Sequence, residues 1–169
     1  MSATYSTTPS DQTSLAASIA RAARHLPVDA AARVAAFLGE IVGVRFSDDE
    51  VALRAARGNA ALMAEQVRRA WIELLRAECE AGPVVLVAED LHWADPPSMT
   101  YLEAALRELA GLPLLVVATA RPEVDDLFAR PFAGHALHEV RLRELGARGS
   151  ERLVRAVLGA DSDATTVAR

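Results

Sequence analysis

Lysine is absent from this 169-residue chain, in which all eighteen basic residues are arginine. The bias fits a genome rich in GC codons, and no ammonium side chain is left to meet a phosphate. Cysteine is nearly absent as well. Cys79 can form no intramolecular disulfide, and Val67, Trp71 and Leu75 place it on the apolar side of a helix, as a small buried hydrophobe. No apolar run approaches the roughly 18–20 residues of a membrane span. The first residues, MSATYSTTPSDQTS, have neither the basic start nor the apolar core of a signal peptide, so a cytoplasmic location is expected.

A basic surplus is also lacking. The net charge is −5 and the pI near 5.4, and the arginines are interleaved with carboxylates, which disfavours a nucleic-acid-binding face. His25, His92, His135 and His138 contain one close pair, and an i, i+3 spacing on an extended segment does not converge two imidazoles. That excludes a metal site built on histidine. There is no G-x-S-x-G and no repeat or low-complexity block, so nothing supports a serine or cysteine hydrolase.

What is present is a core. With 51% apolar residues and a positive mean hydropathy, the chain has ample material for one domain of ordinary size. Residues 1–11, rich in Ser and Thr, are expected to be disordered. Residues 12–82 read as a helical segment. Leu15, Ala16, Ile19, Ala22 and Ala23 have helical spacing up to Pro27, and a second helix follows from Asp29, with Val34, Phe37, Leu38 and Ile41 on one stripe and Gly43 as its stop. Ser47-Asp48-Asp49-Glu50 reads as a capping box opening a short helix to Gly58. Asn59 caps the longest helix, from Ala60 to about Glu80.

Residues 83–159 read as an α/β core. Val84 to Val87 form an apolar, largely β-branched run after Gly82-Pro83, which suits a strand buried on both faces in a parallel sheet. Asp95-Pro96 is a strong helix start, and Met99, Leu102, Leu106 and Leu109 mark that helix's buried face. Leu112 to Thr119 reads as a second strand, a short helix is expected around Glu123 to Ala129, and Ala136 to Leu142 reads as a third strand. A last helix opens at Gly149 or Ser150 and closes at Gly159, and residues 160–169 are expected to fray. Strand, helix, strand, short helix, strand, helix is the succession of a parallel α/β sheet.

The chemistry gathers at VVLVAEDLHWADPPS, residues 84–98. Glu89 and Asp90 sit at the carboxyl end of the first strand, the edge at which open parallel sheets bind ligands. Adjacent strand residues point to opposite faces, which rules out a carboxylate pair flanking a glycosidic bond. One acid can hold a metal ion through water while the other polarises a nucleophilic water. The bland alternative is that acids end a buried strand by reaching solvent. Asp95 is better explained as an N-cap than as a ligand, Trp93 as packing, and His92 as a polar residue at the mouth of the site. Arg121 ends the second strand, where it suits a phosphate; an ion pair with Glu123 or Asp125 is the competing reading.

This succession, an apolar strand ending in two acids, LHWADPPS, a helix, and a second strand ending Thr119-Ala120-Arg121-Pro122-Glu123, resembles the ATPase domains of the signal-transduction ATPases with numerous domains. These are AAA-related proteins found beside bacterial serine/threonine kinases, adenylate cyclases and large transcription regulators. The resemblance spans roughly residues 30–159. It implies a partial P-loop-NTPase-type αβα sandwich with about three parallel strands and an N-terminal group of helices, and ATP and Mg²⁺ as cofactors. It puts Glu89 at the Walker B position that binds Mg²⁺ through water and Asp90 at the position that orients the attacking water. Arg121 takes the sensor position towards the γ-phosphate, assisted by Thr119. The Glu-Asp order departs from the commoner Asp-Asp or Asp-Glu pair, so either acid is a candidate metal holder.

The family's phosphate cradle, G-x-x-x-x-G-K-[ST], has no counterpart in a chain without lysine. The resemblance therefore implies the central piece of an ATPase, binding nucleotide weakly or inactive alone, with other parts of a signalling ATPase, a protein partner at its sheet edges or a second copy of the chain in a homo-oligomer as the expected partners. The competing function is a non-catalytic interaction module or a degenerate gene fragment.

Overall fold

A computed structural model describes residues 23–44 and 51–159. The expectations for the amino terminus, for the start of the first helix, for the Ser47–Glu50 capping box and for the tail lie outside the described residues. The chain divides into two compact units, Met1–Ala136 and Leu137–Arg169.

The first unit begins with packed helices. Helix α1 (Val28–Ile41) follows Pro27, whose carbonyl accepts from the Ala31 N–H at 2.8 Å, and gives way to Gly43, at φ +71°. Glycine suits that position because a Cβ would clash in the left-handed region. Helix α2 (Val51–Arg57) is short. Helix α3 (Ala60–Ala81) starts where the Asn59 side chain accepts from the Leu62 N–H at 3.1 Å. Val34, Phe37 and Leu38 of α1, Leu53 and Ala56 of α2, and Val67, Ala70 and Leu74 of α3 form one buried cluster. Arg33–Glu73 at 2.5 Å and Arg57–Glu40 at 2.7 Å join the helices at its rim. Such part-exposed pairs contribute little beside the apolar burial.

Helix α3 then delivers the chain to the sheet. Gly82-Pro83 breaks the helix, and strand β1 (Val84–Ala88) follows at once. Helix α4 (Pro96–Glu108) crosses over to strand β2 (Leu114–Ala118), which pairs with β1 in parallel from Val84↔Leu114 to Ala88↔Ala118. A second cluster sets this βαβ unit on the helices. Ile72 and Leu75 of α3 pack with Ala104, Ala105 and Leu109, and Val84, Leu86, Leu112 and Leu114 rest on them. Arg68 bridges Glu65 on its own helix and Glu108 on α4, which lowers the Glu65 pKa through hydrogen bonding and raises that of Arg68. Burial pushes the Cys79 thiol up, as befits an inert core residue.

Two expectations need correction. Strand β1 is covered on one face only: Val85 is 58% and Val87 66% exposed, and Leu115 and Val117 beside them are open as well. A composition suited to two-sided burial thus meets one covering layer among the described residues. The third strand also fails to form, and residues 136–146 belong to no regular element, so the sheet has two strands among the described residues. The α/β class stands. Between Leu137 and Val140 the alternation slips by one residue, and Glu139, Arg141, Arg143 and Glu144 between the apolar positions keep the segment exposed.

Helix α5 (Val124–Phe128) completes the regular structure of the first unit. In the second, helix α6 (Ala147–Leu158) carries an Arg155–Glu151 pair at 2.7 Å and ends at Gly159, with Leu153, Val157 and Leu158 exposed. No helix among the described residues is long and apolar enough to cross a membrane.

Candidate functional site

The site is built where both strands end. Strand β1 stops at Ala88, so Glu89 and Asp90 lie on the turn that follows, both exposed. Their directions are set by that turn and not by the pleat of a strand. Asp90 is left-handed, at φ +53° and ψ +45°. A short polar residue tolerates this region far better than a β-branched one. One turn of 3₁₀ helix, Leu91–Trp93, comes next, with the Trp93 N–H donating to the Asp90 carbonyl at 2.8 Å. Leu91 turns inward, where it clusters with Met99 and Phe132 beneath the site.

Helix α4 begins where expected. The Asp95 carboxylate accepts from the Ser98 N–H at 2.8 Å, with Pro96 at the first helical position. Hydrogen bonds from the Ser98 hydroxyl and N–H hold the Asp95 carboxyl below its ordinary range. This capping fully occupies the role of Asp95, as the sequence anticipates.

The end of β2 is stitched to the turn by four hydrogen bonds. The Thr119 N–H donates to the Ala88 carbonyl at 2.9 Å, and the Leu91 N–H donates to the Thr119 carbonyl at 2.8 Å. The Asp90 N–H donates to the Thr119 hydroxyl oxygen at 3.2 Å, and the Arg121 N–H to His92 Nδ1 at 3.3 Å. Thus Glu89, Asp90, Thr119 and Arg121, the four candidate site residues, are gathered at one sheet edge. Arg121 is exposed at this edge. The role of His92 in the stitch escapes sequence reasoning. Its acceptor bond is to a backbone amide 29 residues away, and nothing in the local sequence signals that pairing. His92 Nε2 is shut off from solvent, with no hydrogen-bond partner among the described residues. The Trp93 ring lies 5.1 Å from the His92 ring and is 73% exposed, so it is not the packing residue the sequence suggests.

What the arrangement can hold follows from its donors. Among the described residues no group of three His, Cys, Asp or Glu could cage a metal ion. Two adjacent exposed carboxylates fit a Mg²⁺ ion that keeps most of its waters and takes its remaining ligands from phosphate. A phosphate cradle is not available from lysine, and the arginine at hand is Arg121. A concavity of about 580 Å³, lined by Glu40, Ala56, Arg57, Gly58, Ala60 and Met63, lies at the junction of α1, α2 and α3, apart from these residues.

A βαβ unit with acids and an arginine at the carboxyl ends of parallel strands defines an α/β protein with its ligand edge at that end. The family comparison goes further: the model of the AAA ATPase domain matches residues 3–117, more than half of the chain, and the chain belongs to that family. The matched stretch takes in Glu89, Asp90 and the Asp95 cap, while Thr119 and Arg121 lie just beyond it. An uncharacterized protein of Rhizobium meliloti (strain 1021) is 45% identical over 58 residues, 34% of this chain. The chain spans 6% of that protein's length. No solved structure matches the chain significantly.

Proposed function

We propose that this chain is the metal- and water-handling part of the ATPase domain of a cytoplasmic bacterial signal-transduction regulator, binding Mg·ATP weakly by itself. The observation that carries the reading is the Glu89–Asp90 turn tied to the strand end that bears Arg121, in a chain of the AAA ATPase domain family. Bound Mg²⁺ would supply charge neutralisation at the β- and γ-phosphates. Glu89 would hold that ion through water in the Walker B role. Asp90 accepts a hydrogen bond from the attacking water and orients it. Arg121, in the sensor role, donates to a γ-phosphate oxygen, where charge accumulates as the bond breaks. Without a lysine most phosphate contacts are missing, so affinity is low, and another part of a signalling ATPase is the partner that would complete the cradle.

Titration with Mg·ATP, with turnover measured for the wild type, Glu89→Gln and Asp90→Asn, tests this reading. Weak Mg²⁺-dependent binding that both substitutions diminish supports it. No binding at millimolar ATP overturns it.

A second reading is favoured by one observation, the open apolar face of the sheet at Val85, Val87, Leu115 and Val117. On this reading the chain is a non-catalytic interaction module whose partner covers that face. A mass that rises with concentration in light scattering, unaffected by nucleotide, is its expected signature.

A further inference from the structure

We infer that Thr119 and His92 are positioning residues, a reciprocal clasp that fixes Asp90 in its left-handed turn and sets the Arg121 backbone beside it. The inference rests on the reading that Asp90 and Arg121 serve a nucleotide, and it gives Thr119 a role different from contact with phosphate.

The geometry is reciprocal. The segment after β1 supplies an acceptor, His92 Nδ1, to the amide of Arg121 at 3.3 Å. The segment after β2 supplies an acceptor, the Thr119 hydroxyl oxygen, to the amide of Asp90 at 3.2 Å. Between them the Thr119 backbone closes two more bonds, to Ala88 at 2.9 Å and from Leu91 at 2.8 Å. One residue of β2's exit therefore makes hydrogen bonds on both sides of the two acids. The ladder bonds of the strands end at this point, so the side chains take over the pairing.

The clasp matters because of Asp90's backbone. Asp90, at φ +53°, holds a left-handed conformation that few non-glycine residues adopt, and the Thr119 oxygen is the side-chain acceptor that meets its amide in the turn. With its oxygen engaged as acceptor, the Thr119 hydroxyl keeps its proton to donate. Accepting at Nδ1 puts the neutral imidazole's proton on Nε2, the atom shut off from solvent with no partner among the described residues. An asparagine there would keep an acceptor at the Nδ1 place and remove the stranded N–H. A glutamine would put its polar end at the Nε2 place instead.

The test is amide hydrogen exchange by NMR on the full chain without ligand, with Leu86 as an internal reference. Thr119→Val, the same shape without the acceptor, is expected to speed exchange at Asp90 about three- to tenfold, the worth of one net hydrogen bond. Thr119→Ser restores it. His92→Gln speeds exchange at Arg121 by a similar factor, and His92→Asn restores it. Wild-type exchange at Asp90 in Thr119→Val, or failure of serine and asparagine to restore their respective amides, overturns the clasp. In the same samples, Mn²⁺ with ATP is expected to broaden Glu89 and Asp90 in the wild type and Thr119→Ser, and less in Thr119→Val. A wild type without broadening contradicts the nucleotide reading, and the clasp then stands or falls on the exchange pattern.

Discussion

Val84 and Val85 are neighbours of identical chemistry with opposite surroundings. Val84, with Leu86 and Leu114, rests on Ile72, Leu75, Ala104, Ala105 and Leu109. Val85, with Val87, Leu115 and Val117, faces outward and is largely exposed. Parallel strands are ordinarily covered on both faces, which is why their sequences read as continuous apolar runs. In this chain the run is intact and one cover is described. The apolar content of a strand thus reports the environment it suits, and the structure reports how much of that environment this unit supplies.

The largest expected effect lies under the covered face. Leu75→Ala removes a side chain that is 4% exposed and should destabilise the first unit by about 2–5 kcal/mol in urea unfolding. A loss under about 1 kcal/mol would mean that the α3 to sheet packing is looser than described. Next comes the helix that carries the crossover. Asp95→Ala deletes the α4 cap and should cost about 1 kcal/mol near neutral pH, whereas Asp95→Asn keeps most of the cap. The pH dependence has a definite sign. The Asp95 carboxyl is held below its ordinary value of 3.8, so its contribution is complete above that value and is lost as pH falls through the lower folded value. The gap between wild type and Asp95→Ala should therefore narrow in acid, as followed by thermal melts across pH 2–5. Smallest is the open face: Val87→Ser should change stability by no more than about 0.5 kcal/mol. A loss comparable to that of Leu75→Ala would show that the face is covered in solution.

Much of the fold was legible because its signals are local. Asn59 and Asp95 announce the starts of α3 and α4, Gly43 closes α1, and the spacing of Val67, Trp71 and Leu75 marks the side of α3 that meets the core. The two strands were legible from their β-branched runs. The third was not, since a strand exists only in its ladder and the apolar alternation of residues 137–142 slips between Leu137 and Val140. The candidate site was legible as a cluster of residue types at strand ends. Its joinery was not: the bonds from Asp90 to Thr119 and from Arg121 to His92 each span 29 residues and depend on the register of β1 against β2.

The central claim is that Glu89 and Asp90 form a working half of a nucleotide site that lacks its lysine. Calorimetric titration of the full chain with Mg·ATP, repeated for Glu89→Gln and Asp90→Asn, tests it most directly. The account predicts a dissociation constant on the order of 1 mM, about 4 kcal/mol of binding, present only with Mg²⁺ and weakened by either substitution. Micromolar binding that survives both substitutions, or no binding at all, would contradict it.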